Sequence, residues 1–318
     1  MEHEKGLMYF PIGMFAGVMG LAGLSLVWHK CEMFFGAAHV ASAAMLAAAY
    51  LLMLAVGGTY LLKFIRHGAA VRAEFDNPVK MNFFPAISIG LLLLGIGTLE
   101  YNRLLSQSMW VLGAGSQLLF TLVIMVRWLT RSFAVVQLNP AWFIPVVGNI
   151  LVPICGVEFA GRELSWFFFT VGLVFWVLLF GMNFYRLIFE APLPNKLLPT
   201  LGIFLAPPGA GCVAYLRLAG EVDGLARILL YLTYILVAVL LYMAPRFLRL
   251  PYFVSWWAYT FPLCAATLAS FGVAGMLGSE VMAGISLVLA ALSTVVVLTV
   301  AARTMQAAMA GELLIKED

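Results

Sequence analysis

Charge is what this chain has least of. Asp, Glu, Lys and Arg make up 10% of its 318 residues, against about a quarter in a soluble domain, and almost none fall inside its apolar segments. That scarcity excludes a soluble globular fold. The formal net charge of +3, scattered through the connections, gives no nucleic-acid surface. Cysteine is scarce as well: Cys31, Cys155, Cys212 and Cys264 form no CxxC pair and no metal-ligand spacing. Neither a disulfide framework nor a metal centre is expected, and the four read as small packing residues. No HExxH, GxSxG or Walker signature occurs, so no catalytic residue, no cofactor and no enzymatic activity is assigned.

Titratable groups are equally rare at mid-membrane depth. Glu100, Glu158 and Glu190 fall at segment ends beside Arg103, Arg162 and Arg186, where interfacial pairs are expected. His29, His39 and His67 also lie at or beyond segment ends, and His3 is in the N-terminal tail. Coupled carriers place such residues in the bilayer interior, so their absence favours passive conduction over coupled transport.

What the chain has in abundance is hydrocarbon. Hydrophobic residues make up 64% and the mean hydropathy is +1.02, which identifies an all-α, polytopic membrane protein. Ten apolar segments, near 7–28, 36–62, 82–99, 107–127, 140–157, 165–186, 197–217, 225–245, 252–276 and 280–302, nearly exhaust the chain as a single transmembrane domain, 1–318. The first, preceded by Lys5, lacks a cleavage site and reads as a retained helix. Counted over alternate connections, thirteen Lys and Arg fall on one side and five on the other, which puts both termini in the cytoplasm. The longest connection, 66–80, carries both signs of charge and an Asp76-Asn77-Pro78 turn, and reads as a solvated loop. Residues 303–318 read as a short cytoplasmic tail.

Proline marks alternate segments: Pro11, Pro85, Pro145 (with Pro140 and Pro153), Pro207 with Pro208, and Pro262. The intervening segments read as straight. Proline frees carbonyls that lipid cannot satisfy, so the bent segments belong inside, lining a cavity, with the straight ones around them. The spacing suggests five parallel hairpins around a central pore, near 7–62, 82–127, 140–186, 197–245 and 252–302. Candidate pore-lining or kink residues are Pro11, Gly13, Gly20, Pro85, Pro145, Gly148, Asn149, Pro207, Pro208 and Pro262. Such a wall is largely apolar and has no ring of Lys or Arg. Phe261, just before Pro262, either projects into the passage and closes it by dewetting or simply packs among 24 phenylalanines.

Four stretches together resemble the tellurite-resistance/dicarboxylate transporter family, which includes a bacterial tellurite-resistance protein and the slow anion channel of plant guard cells. They are PIGMFAGVMGLAGLSLVW (Pro11 to Trp28), GSQLLF (Gly115 to Phe120), NPAWFIPVVGN (Asn139 to Asn149) and WWAYTFP (Trp256 to Pro262). The resemblance runs the length of the chain. It implies ten helices in quasi-fivefold order, a homotrimer with one pore per protomer, and a pore-plugging phenylalanine at the position of Phe261. Gly13 and Gly20 match family glycines, whereas Ala16 stands where the pattern allows glycine, narrowing the expected lumen. Activities implied are passive anion conduction across an inner membrane or, alternatively, proton-coupled uptake or efflux of dicarboxylate, sulfite or tellurite. A non-conducting membrane scaffold is the remote alternative. The long terminal tails of the plant channel have no counterpart here, so kinase control through tails is not expected. Cys155, Cys212 and Cys264 lie in presumed pore helices, but their apolar setting does not favour reaction with tellurite.

Overall fold

The computed structural model describes residues 6–315; His3, Lys5 and Lys316, used above as tail and topology markers, lie outside them. Among the described residues, ten helical spans are long and apolar enough to cross a membrane: Ile12–Phe35, Val40–Arg66, Lys80–Thr98, Arg103–Thr130, Pro140–Phe159, Gly161–Phe189, Leu198–Ala219, Gly224–Phe247, Val254–Leu277 and Glu280–Met309. The first runs past its expected end to Phe35. The last continues to Met309, so much of the expected 303–318 tail is helix. The backbone amide of Gly6 donates to the carbonyl of Leu314 at 2.9 Å, which places both ends of the described chain on one face, the terminus face.

Odd and even spans differ sharply in burial. Between 67% and 89% of the most apolar window of each odd span is buried, against 22% to 33% in the even spans. Each odd span touches the next, and the ninth returns to the first, closing a ring. Even spans flank it, each against the odd span before it, and turn Leu, Val and Phe side chains outward. That is what a sequence poor in charge and rich in branched apolar residues does when its outer solvent is lipid.

The even spans are continuous α-helices, three of them opened by side-chain caps. Asn102, Asp223 and Ser279 accept from the amides of Leu105, Ala226 and Met282. Asp223 also accepts from the Tyr215 hydroxyl, which with the cap holds its carboxyl below the usual range. On the far face the first, seventh and ninth spans stop at Gly36, Gly220 and Gly278, whose φ values of 63°, 80° and 62° allow the tight reversals into the following spans.

The odd spans are built differently from the bent α-helices expected. Four start as 3-10 turns and become α-helical further in: Ile12–Met14 before Phe15, Lys80–Phe83 before Ala86, Leu198–Leu205 before Ala206, and Val254–Tyr259 before Thr260. The fifth span starts at Pro140–Trp142, passes through a short α-helix, Phe143–Val147, and returns to 3-10 at Gly148–Leu151 before Pro153. Pro85, Pro153, Pro207, Pro208 and Pro262 stand at or within the first turn of the deeper helix, where the missing N–H had no partner to lose. One even span also departs from expectation, since Pro245 lies near the end of Gly224–Phe247.

Carbonyls released at the most broken span, the fifth, are recovered by the fourth. Gln117 Nε2 donates to the carbonyls of Ile144 (3.2 Å) and Pro145 (2.9 Å), and Thr121 Oγ1 donates to Pro145 at 2.6 Å. Ser88 Oγ donates to Gln117 Oε1 at 2.5 Å, while Asn149 Nδ2 reaches Thr121 and the carbonyl of Val146. A Cβ on Gly148 would lie 2.5 Å from Gln117 Nε2, so glycine there admits the amide. Gln117→Leu strands these buried groups and is expected to cost about 2–4 kcal/mol; thermal unfolding of the detergent-solubilised variant measures it.

The 66–80 connection is not simply a solvated loop. It contains a helix, Gly68–Asp76, whose Glu74 is buried and pairs with buried Lys63 at 2.6 Å. Glu74 also accepts from Tyr60 Oη (2.8 Å) and from the amide of Ile12 (3.0 Å), and Lys63 donates to the carbonyl of Phe10 (2.8 Å). Asp76 and Asn77 remain exposed, with Asp76 paired to Arg127 and Arg131.

Candidate functional site

Because the five odd spans run in one direction, their N-terminal halves surround one cavity and their C-terminal halves another. The cavity open to the terminus face has a volume of about 440 Å³ and an apolar wall that includes Met19, Ile89 and Ile203. The far cavity, about 490 Å³, is more polar and is bordered by Ser25, His29, Tyr101 and Cys155. Three residues line both: Leu151, Ala210 and Phe261.

Phe261 is 5% exposed. It lies in the first turn of the deeper helix of the ninth span, where Pro262 fixes the following φ. On the neighbouring first span stands Gly23; a Cβ there would meet Phe261 Cδ2 at 3.2 Å and Cys264 Cβ at 3.1 Å. Leu151 comes from the fifth span two residues before Pro153, and Ala210 from the seventh, two after Pro208. The boundary between the two cavities is thus bordered by hydrocarbon from helices broken at that depth.

The sequence candidates separate into two groups. Pro11, Gly13, Gly148, Pro207, Pro262 and Phe261 border the terminus-face cavity. Gly20, Pro85, Pro145, Asn149 and Pro208 border neither cavity and serve packing or backbone geometry instead. Gly20 faces the ninth span: a Cβ would sit 2.4 Å from Thr260 Oγ1 and 2.9 Å from Thr260 Cβ. Thr260 is stiff at χ1 and hydrogen-bonded to the carbonyl of Trp257. Gly20→Ala is therefore expected to cost about 1–3 kcal/mol by overpacking and to displace the backbone next to Phe261, a cost that thermal unfolding of the detergent-solubilised variant measures. Ala16 does border the lumen.

None of the three shared residues is charged, whereas both cavities have charged residues elsewhere in their linings. Lys80 and Lys196 border the terminus-face cavity together with Glu74; Lys30, Arg103 and Arg217 border the far one together with Glu100 and Glu158. The interfacial pairs also differ from those expected. Glu158 joins Arg217 (2.5 Å) and Arg103 (3.5 Å), not Arg162, which donates to the carbonyl of Leu218. Glu100 meets His29 at 3.3 Å. Arg186 is buried, with the Val136 carbonyl 3.4 Å from Nη2. On the far side Glu32 is buried and accepts from the Ala41 and Ser42 amides and the Ser42 hydroxyl, with His39 at 3.5 Å and stacked on His29. All four cysteines are buried and unpaired, and of these Cys155 alone borders one of the two cavities described above.

Sequence reasoning missed Leu151, Ala210, Gly23 and the basic residues of the mouths. Pro153 and Pro208 flagged the right depth. Helix phase, which decides the side a residue faces, was not readable from them.

Comparison with known proteins adds an independent line. A family profile described as voltage-dependent anion channel matches residues 9–305. The chain is 30% identical over 295 residues to the S-type anion channel SLAH2 of Arabidopsis thaliana, covering 87% of this chain and 56% of that one. It is 27% identical over 329 residues to the guard cell S-type anion channel SLAC1 of the same plant, covering 100% and 59%. With the tellurite resistance protein TehA homolog of Haemophilus influenzae the identity is 29% over 282 residues, 87% of this chain and 84% of the relative. The chain thus spans somewhat more than half the length of the two plant relatives.

Proposed function

Because the chain belongs to the voltage-dependent anion channel family, we propose that it conducts small anions passively across a bacterial inner membrane and that Phe261 is its gate. The observation that carries this reading is the meeting of two cavities, one from each face, at Phe261 with Leu151 and Ala210. A ring at such a junction blocks a narrow passage and dewets it, and no ion crosses without water or a substitute for it. The charged groups of the lining stand at the mouths, and none is among the three residues common to both cavities. A passive path needs no titratable relay at its narrowest point.

The deeper helices of the first, third, seventh and ninth spans begin beside the terminus-face cavity, so their positive dipole ends favour an anion approaching from there. The excess of Lys and Arg on that face makes it cytoplasmic. Apolar even-span surfaces face lipid and, in the homotrimer implied by the family resemblance, neighbouring copies, each protomer keeping its own pore.

Planar-bilayer recording tests the reading. Under chloride and nitrate gradients, current reversing at the anion equilibrium potential and insensitive to a pH gradient supports a channel. Saturable flux driven by a pH gradient would favour the proton-coupled carrier of dicarboxylate, sulfite or tellurite.

A further inference from the structure

The far cavity poses an electrostatic problem that the terminus-face cavity does not. Five parallel helices present their C-terminal ends toward the far face, and the partial negative charge of such ends repels an anion leaving the gate. Cations are needed there, and two converge on one point. Arg103, at the start of the fourth span, and Arg217, in the last turn of the seventh, both reach Glu158 in the last turn of the fifth. Glu158 is seven residues beyond Leu151 and Arg217 seven beyond Ala210, so the cluster stands about 10 Å along the helices from the constriction.

Neither guanidinium depends on the carboxylate for its position. Arg217 Nε donates to the carbonyl of Ile154 at 3.2 Å. Arg103 lies over the Phe159 ring at 5.4 Å and donates to the backbone carbonyl of Glu158 at 3.4 Å. The side chains of Arg103, Arg217 and Glu158 are 64%, 44% and 33% exposed, and ion pairs that exposed are weak, worth about 0–1 kcal/mol. A carboxylate held loosely between two independently anchored guanidiniums is chemically a monovalent anion on a tether.

Building on the channel reading, we propose that Arg103 and Arg217 form an anion-binding station in the far vestibule, for halide or a small monovalent oxyanion, and that the Glu158 carboxylate is its built-in competitor. An anion passing the gate takes the place of the carboxylate, which turns toward solvent, and the carboxylate returns as the anion leaves. The station offsets the helix ends without holding the anion tightly.

Two measurements on the full chain test this separately from conduction. Chlorine NMR line broadening on detergent-purified protein reports chloride binding whether or not ions pass. Glu158→Gln is expected to lower the half-saturating chloride concentration roughly three- to tenfold, the scale of removing one nearby competing charge, and Arg103→Gln with Arg217→Gln to abolish the saturable broadening. Glu100→Gln, which removes a charge from the same cavity at a carboxylate paired with His29, is expected to change little. Unchanged affinity in Glu158→Gln, an equal shift in Glu100→Gln, or saturable binding that survives loss of both arginines would each overturn the station. In a Phe261→Ala background the half-saturating chloride concentration for current should follow the same order. Binding that behaves as stated in a protein passing no current would instead sink the channel reading and leave the station standing.

Discussion

Phe261→Ala is expected to raise anion conductance at least about tenfold, because any barrier above ~1.4 kcal/mol imposed by a dewetted ring is worth that factor. Removing the ring joins cavities of about 440 and 490 Å³ and leaves Leu151 and Ala210 as the neck. Truncating a core phenylalanine costs about 3–5 kcal/mol. Here the ring already borders empty space on two sides, so the loss should fall at the low end and the variant should still assemble. Single-channel recording with chloride on both sides reads the outcome, and Phe261→Leu should fall between wild type and alanine. Equal amplitudes for wild type and alanine would move the gate elsewhere. No current from either would favour a non-conducting scaffold.

Lys63→Met is expected to be the most damaging substitution for folding, at about 3–5 kcal/mol, the usual cost of leaving one partner of a buried ion pair alone. Its target, Glu74, would keep the Tyr60 hydroxyl and the Ile12 amide but lose its cation within a site where Lys63 is 2% and Glu74 7% exposed. The consequence also reaches the terminus-face cavity. Glu74 holds the amide that opens the first span, Lys63 holds the carbonyl of Phe10, and Glu74 borders the terminus-face cavity. Combining Lys63→Met with Glu74→Gln should restore much of the lost stability, since a neutral amide tolerates burial that a lone carboxylate does not. Thermal unfolding of the solubilised single and double variants measures both effects, and a double variant no better than the single would mean the pair is not the cause.

Both predictions show where sequence reading stopped. Phe261 stood out because an aromatic before proline in an alternate segment is a local signal. Glu74 was misread because it sits in the most charged stretch of the chain, where solvation is the ordinary expectation; burial came from the Gly68–Asp76 helix folding back against Tyr60 and Ile12. The bent helices expected at the prolines became 3-10 turns followed by α-helix. Proline signals a break in either case, and its pattern does not specify the turn type before it.

Ten spans, alternation of inner and outer, and the return of both ends to one face follow from hydropathy and proline placement, which are properties of short stretches and need no partner. Which residues meet at the neck, and which charges meet at the mouths, was decided by closure of the ring. Leu151, Ala210 and Phe261 come from three different spans, and Glu158 lies 55 and 59 residues from its two arginines. Contacts at that separation depend on how each helix is rotated about its own axis. Nearly uniform apolar segments carry little amphipathic signal to set that rotation, so packing against neighbours, such as Gly20 on Thr260 and Gly23 on Phe261, sets it instead.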